Sequence, residues 1–309
     1  VRTKQELSDA IRQRRRAVLI VNAKSRRGRQ FYTDAVRRLT DAGFELIASY
    51  PVDEPGELER SLDEAVRMAP DLLIAGGGDG TIGAAARLLA HRDIALGLLP
   101  LGTTNNFART LGIPIDLDAA VRVISSGKVI DVDLGLAGDL PFANHVGIGL
   151  SAEVMLRTPP RLKRMVGKFA YPATAAALMA RHRPLRVSVR TASSNRDFQT
   201  HQLYVANGGH QAGRPITADA NADDRLLVAY PVGGATRHSL LGATVRNAAT
   251  GHRRTLRHDP FLAVGELLVE TDRPAPVEID GEVCGETPIR LRVDANALRV
   301  MAAAGTVDH

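Results

Sequence analysis

Residues 76–81, Gly-Gly-Gly-Asp-Gly-Thr, stand between the apolar run Leu72–Ala75 and the helix-like stretch Ile82–Leu89. Glycines in that place let backbone N–H groups approach a polyphosphate closely, and the start of a following helix adds a positive dipole end. The one carboxylate, Asp79, suits a magnesium ion. Gly78, Gly80 and Gly83 also satisfy the dinucleotide spacing G-x-G-x-x-G. A dinucleotide site wants an acid at the end of the next strand, whereas Asp93 comes before the apolar run Ile94–Pro100, so that reading lacks its second support. No Lys-Ser or Lys-Thr follows a suitable glycine loop, which excludes a Walker A site, and the D-F-G of protein kinases is absent. A phosphate-holding turn and a merely tight turn both remain open at this point.

Two further stretches bear on the choice. Residues 99–110, Leu-Pro-Leu-Gly-Thr-Thr-Asn-Asn-Phe-Ala-Arg-Thr, end the next strand-like run. In an open parallel sheet the loops after adjacent strands face one crevice, so Gly76–Thr81 and Gly102–Asn106 are expected to converge on one ligand. Residues 277–286, Val-Glu-Ile-Asp-Gly-Glu-Val-Cys-Gly-Glu, place Asp-Gly between β-prone runs, which is a hairpin signal.

Together, "GGGDGT" and "PLGTTNNFA" resemble the diacylglycerol kinase catalytic family, in particular the soluble bacterial lipid kinases. The resemblance covers nearly the whole chain and implies ATP and magnesium as cofactors. It assigns the nucleotide loop to "VNAKSRRG" at 21–28, where Asn22 and Ser25 carry over while Ala23 and Arg26 depart from the usual Pro and Gly. It assigns phosphate contacts to Gly76, Gly77, Gly78, Asp79, Gly80, Thr81 and Thr103. Ser49 falls at a nucleotide-contacting Thr position, and Asn106 stands where an Asp near the magnesium is common. Metal ligation is implied for Asp79 and for Asp133, with Asp131 as the alternative. Asp224 falls where some bacterial members hold a structural magnesium, although Arg225 replaces the usual Gly. "DGE" at 280–282 implies Glu282 as the base for the acceptor hydroxyl and Asp280 as its partner, roles compatible with a hairpin turn. Other catalytic signatures are missing: the histidines form no H-E-x-x-H, "GLSAE" lacks the second Gly of a nucleophile elbow, and His145 and His210 read as structural or exposed.

The elements that must position these residues follow a simple pattern. Strand-like and helix-like segments alternate through about residue 130, which implies a parallel sheet covered by helices. From about Asp131 short alternating runs predict an antiparallel sandwich, interrupted by helical stretches around 161–181 and 236–250. "ALRVMAAA" is apolar enough to return to the first domain. The expected fold is an α/β nucleotide-binding domain, like that of NAD kinase and diacylglycerol kinase, at 1–134, completed by a strand within 294–309, with a β-sandwich lipid-substrate domain at 135–293.

With 309 residues, 44% hydrophobic and 24% charged, the chain suits a globular protein of two domains. No run approaches the length of a membrane-spanning helix, and the N-terminal residues show no signal-peptide pattern. A single cysteine, Cys284, excludes intramolecular disulfides and cysteine-rich zinc sites, and a reducing cytoplasmic setting is expected. The net charge of +6 is unevenly spread: ten basic residues and no acid lie between Val154 and Arg196. Among them Leu162, Met165, Val166 and Phe169 recur at helical spacing beside Lys163, Arg164 and Lys168. That pattern serves an interfacial helix on anionic lipid as well as a core helix with basic edges. The expected partners are a lipid alcohol, an anionic membrane surface bound peripherally and a second copy of the chain, with no nucleic acid. The activity implied by the resemblance is ATP-dependent phosphorylation of a lipid hydroxyl, with diacylglycerol as the leading substrate. NAD kinase-like phosphorylation of a soluble substrate and non-catalytic lipid or nucleotide binding are the alternatives.

Overall fold

The computed structural model describes residues 2–54, 56–158, 178, 182–208, 210–211, 214–215, 224–234, 236 and 262–306. Two compact units emerge: Val1–Leu134 with Asn221–Asp224 and Asp294–His309, and Gly135–Ala220 with Arg225–Val293. The helical stretches expected around 161–181 and 236–250 lie almost wholly outside the described residues.

The first unit begins with helix α1 (Lys4–Arg14), which the sequence reading did not anticipate. Its N-terminus carries a capping box: the Thr3 side chain accepts from the Glu6 N–H while Glu6 reaches back to the Thr3 N–H. Strands β1 (Arg16–Asn22), β2 (Glu45–Val52), β3 (Leu72–Gly77) and β4 (Ala95–Pro100) alternate with helices α2 (Arg26–Asp41), α3 (Glu57–Arg67) and α4 (Asp79–Leu89). Pairing is parallel throughout, in the order β2-β1-β3-β4. Every residue of β3 and β4 is buried, as their unbroken apolar runs require when helices cover both faces of a sheet. Short helix α5 (Asn106–Thr110) and helix α6 (Leu117–Ser126) follow. At the amino ends of the strands, Arg2 bonds Asp71 (2.6 Å) and Asp93 (2.8 Å), and Arg299 also pairs with Asp93. Asp93 is therefore engaged at the end of β4 opposite its carboxyl-terminal loop.

The chain leaves the first unit along β5 (Lys128–Ala137), which pairs with β6 (Leu140–Phe142). The second unit is a sandwich of antiparallel sheets. It contains β7 (His145–Gly149), helix α7 (Leu150–Arg157), β8 (Leu185–Arg190), β9 (Asn195–Thr200), β10 (Gln202–Asn207) and the short pair β11 (His210–Gln211) and β12 (Arg214–Pro215). Then come β13 (Leu227–Val232), β14 (Leu262–Val264), β15 (Glu266–Thr271), β16 (Pro276–Ile279), β17 (Glu282–Glu286) and β18 (Ile289–Ala302). One sheet has the order β14-β13-β10-β7-β16-β17, and the other joins the first part of β18 to β15, β8 and β9. Val146, Ile148, Val205, Val277 and Ile279 of the first meet Val187, Val189, Val269 and Leu291 of the second in one core. The returning C-terminal strand is the last part of one long strand, β18, and pairs in parallel with β4 through Val300 and Leu96.

At one end of the sandwich the buried rings of His182 and His201 face each other, Nδ1 to Nδ1, at 2.9 Å. One nitrogen donates and the other accepts, so the two rings are not both protonated. Burial, then the neighbouring His201, depresses the His182 pKa to about 4. The unfolded chain, with His182 at its ordinary value near 6.5, binds more protons between those limits, so stability is full above about pH 6.5 and falls as the pH drops toward 4. Denaturant unfolding at pH 7.5, 6 and 5 is expected to show this loss, with a shallower pH slope in His182→Gln.

Candidate active site

Strand order creates the site of the first unit. From β1 the sheet grows to β2 on one side and to β3 and β4 on the other, so the loops after β1 and β3 diverge and leave a crevice at the strands' carboxyl ends. Asn22 ends β1, and its Nδ2 donates to Thr81 Oγ1 at 3.4 Å. Gly76 and Gly77 lie inside β3 rather than in a loop, so the connection to α4 is the single residue Gly78. Each of these glycines has a separate reason. A Cβ on Gly77 would lie 2.5 Å from the Thr81 side chain, and one on Gly102 would lie 2.5 Å from Gly78 Cα. The β3–α4 and β4–α5 loops thus touch backbone to backbone. Gly80 is different, because nothing lies within 4 Å of where its Cβ would stand.

Asp79, the first residue of α4, joins the two loops. Its carboxylate accepts from Thr104 Oγ1 at 2.6 Å and from the Phe107 N–H at 3.3 Å, at the start of α5. Thr104 was absent from the sequence reading, which picked its neighbour Thr103. Thr103 is exposed on the same loop. Asn105, in the left-handed region at φ 47°, turns the loop and donates to the Gly102 carbonyl at 2.8 Å. Asn106 is buried at the first position of α5.

The remaining residues singled out in the first unit divide by role. Ser25 caps α2, accepting from the Gly28 N–H at 3.0 Å, and Ser49 on β2 shares a 2.8 Å hydrogen bond with the Tyr32 hydroxyl. Asp133 is buried and accepts from the Asn296 N–H at 2.8 Å, fastening the left-handed residue of β18. Asp131 pairs with Lys4 at 3.3 Å. Asp224 is grouped with this unit and partly exposed. Among the described residues no three Asp, Glu, His or Cys side chains form a group able to hold a metal.

In the second unit, Asp280 and Gly281 form the two-residue turn between β16 and β17, with φ of 47° and 93°. Positive φ at both positions is the primed-turn geometry for which Asp-Gly is suited. The Asp280 carboxyl accepts three backbone N–H groups, from Ala143 (2.7 Å), Asn144 (2.9 Å) and His145 (3.0 Å). Burial pushes its pKa above the ordinary value, while His145 and those three donors act the other way. Glu282, the first residue of β17, is exposed. Two residues before the turn stands Glu278, buried and absent from the sequence reading. The only signal for it was an acid inside the apolar run Pro276–Ile279.

Residues 16–137 match the diacylglycerol kinase catalytic domain, and residues 144–302 match the YegS C-terminal NAD kinase beta sandwich-like domain. A Salmonella arizonae protein named "Probable lipid kinase YegS" is 35% identical over 219 residues, spanning 68% of this chain and 72% of that protein. A Staphylococcus epidermidis protein named "Diacylglycerol kinase" is 29% identical over 287 residues, spanning 89% and 88%. The solved structure of a diacylglycerol kinase from Bacillus anthracis superposes with a TM-score of 0.73 at 24% identity, covering 93% of this chain and 97% of that one, and so shares the fold.

The two glycine environments give opposite expectations. Gly102→Ala forces two backbones apart and is expected to destabilise the protein by about 1–3 kcal/mol, as overpacking does. Gly80→Ala adds a methyl to open space and is expected to leave the unfolding midpoint unchanged while weakening nucleotide binding at least tenfold. Thermal unfolding and calorimetric nucleotide titration of both variants check this, and unaltered affinity in Gly80→Ala would remove the ligand from that space.

Proposed function

The chain belongs to the diacylglycerol kinase catalytic-domain family of lipid kinases, and from that premise we propose that it phosphorylates the free hydroxyl of diacylglycerol to give phosphatidic acid. The joining of the two loops by Asp79, Thr104 and the Phe107 N–H carries the reading, because it leaves open backbone at Gly80 beside a fixed carboxylate. The nearly full-length match to a relative named diacylglycerol kinase supports the choice of substrate.

In this reading the phosphates of ATP lie against Gly78–Thr81 and Thr103 at the N-terminus of α4, whose N–H groups and dipole favour an anion. Asn22, Ser25 and Ser49 border the nucleotide. Magnesium typically takes one or two carboxylates together with phosphate oxygens and waters, so Asp79 fits it without a cage of protein ligands. Asp79 would hold the ion, whose charge offsets that on the phosphate oxygens; Asp133, whose carboxylate accepts from the Asn296 N–H, would help to organise that ion, and Asp224 would be a ligand of a separate structural magnesium. The lipid hydroxyl oxygen forms a bond to the γ-phosphorus as the bond from that phosphorus to the bridging oxygen of ADP breaks, and Glu282 accepts the hydroxyl proton. Asp280 fixes the turn that presents Glu282. Positioning and electrostatics supply most of the rate in such transfers.

Labelled ATP with diacylglycerol in mixed micelles, followed by chromatographic and mass analysis of the lipid, tests the substrate. Asp79→Asn is expected to fold normally and lose nearly all turnover. Glu282→Gln is expected to lower turnover by ~10²–10⁴-fold, the usual contribution of general-base catalysis, with ATP affinity preserved. Near-normal phosphorylation by Glu282→Gln would reject Glu282 as the base.

Peripheral membrane association belongs to the same proposal. No helix among the described residues is long and apolar enough to cross a membrane. Lys163, Arg164 and Lys168 lie outside the described residues, while Arg186 and Arg190 are exposed on β8. Changing Lys163, Arg164 and Lys168 to Glu is expected to abolish co-sedimentation with anionic vesicles at low salt. Unchanged binding would move the membrane surface elsewhere on the chain.

A further inference from the structure

The six-stranded sheet of the second unit has one face in the sandwich core and another that lies beneath α7. On β16 these faces alternate: Val277 and Ile279 enter the core, so Glu278 points the other way. It does not reach water there, being 1% exposed. A carboxyl group buried to that degree needs partners, and three are present. Its Oε1 accepts from the Gly281 N–H at 2.6 Å and lies 3.5 Å from His145 Nε2. Its Oε2 lies 3.5 Å from Ser151 Oγ in the first turn of α7, where the helix dipole favours negative charge. The Tyr204 ring stands edge-on to His145, and burial, followed by the charge of Glu278, pushes its hydroxyl pKa up to about 12.

Gly147 shows how closely this group is held. A Cβ there would lie 2.4 Å from Glu278 Oε2, 2.6 Å from Ser151 Oγ and 3.2 Å from Gln202 Nε2. Gln202 in turn accepts from the Ser151 N–H at 2.7 Å. The strand opposite Glu278 therefore gives up a side chain so that the carboxyl can fill its place.

The turn that precedes Glu282 is consequently held at both residues and from two directions. Asp280 is tied by its side chain to the N–H groups of 143–145, and its own N–H donates to the His145 carbonyl at 3.0 Å. Gly281 is tied by its N–H to Glu278. His145 takes part in both restraints, through its backbone with Asp280 and through its ring with Glu278. We propose that Glu278 is a positioning residue for phosphoryl transfer, locking the Asp280–Gly281 turn through the Gly281 N–H so that Glu282 is presented in one geometry. Glu278 itself touches neither substrate nor reacting atoms: it lies on the face opposite Ile279, the residue paired with Glu282. Displacement of a catalytic group by about 1 Å can cost on the order of a hundredfold in rate, which makes such a lock consequential.

The proposal rests on Glu282 being the base, and the experiment separates the two. Glu278→Leu keeps approximate volume but removes the acceptor, and is expected to lower kcat at least tenfold while the KM for ATP stays within twofold. Glu278→Gln retains an acceptor oxygen for Gly281 and is expected to recover most of that loss. Gly147→Ala pushes the carboxyl away without removing it and is expected to fall between them. Hydrogen exchange of the 279–283 backbone, followed by mass spectrometry on the full-length protein, is expected to quicken at Gly281 in the Leu and Ala variants and not in the Gln variant. Wild-type kcat in Glu278→Leu, or unchanged exchange at Gly281, would overturn the lock. Should Glu278→Leu fail to fold, Gly147→Ala decides on the same two readouts. If Glu282→Gln retains full turnover while Gly281 exchange still quickens in these variants, the base assignment falls and the lock stands as a structural device alone.

Discussion

Backbone meets backbone at Gly78 and Gly102, and the arrangement of the first unit's candidate site follows from that approach. A Cβ on Gly102 would sit 2.5 Å from Gly78 Cα, well inside contact distance, so the loops after β3 and β4 close on each other only with glycine there. Once they are in contact, Asp79 is near enough for its carboxylate to accept from Thr104 and from the Phe107 N–H. Strand order then decides what the joined loops face. With β1 between β2 and β3, the crevice opens beside Asn22, whose amide reaches Thr81 below the same loop. Two turns that are separate in sequence thus behave as one rigid wall.

The second unit uses a different means to the same end. A hairpin turn on a sheet edge is ordinarily among the more mobile parts of a fold. Here Asp280 adopts a left-handed conformation that is unfavourable for a residue with a side chain, and three N–H donors from the 143–145 segment offset that cost. The two acids that precede Glu282 in the chain's E-x-D-G-E run are therefore bound by backbone, and Glu282 itself stays exposed. Acidic residues that look equivalent in sequence are divided by strand alternation and turn geometry into those that hold and the one presented.

Much of this was legible in the residues, for physical reasons that differ by element. Strands β1, β3 and β4 are unbroken apolar runs because helices cover both faces, and such runs are hard to read otherwise. Helix α1 was missed because its polar, charged sequence has few apolar positions, although Thr3 and Glu6 spell a capping box. Strand β9, Asn-Arg-Asp-Phe-Gln-Thr, carries almost no β-propensity; its register with β8 comes from pairing, which a single strand does not encode. The length of β18 is hidden by the Asp-Ala-Asn interruption at 294–296, where the left-handed Asn296 lies within one continuous strand and its N–H is secured by Asp133.

At the candidate site the glycines and Asp79 were readable because backbone geometry restricts those positions to particular residue types. Thr104 was not, since which of two adjacent threonines turns toward Asp79 depends on the left-handed turn at Asn105 that follows them. Glu278 was hidden for a deeper reason. Alternation in β16 marks it as belonging to the face away from the core, and on a two-layer sandwich that face is normally wet. Only the covering of that face by α7, together with the absence of a side chain at Gly147, turns an apparently exposed acid into a buried one. The distinction matters because an exposed glutamate at that position would add only charge, whereas a buried one must be bonded, and the N–H it bonds belongs to the turn before Glu282.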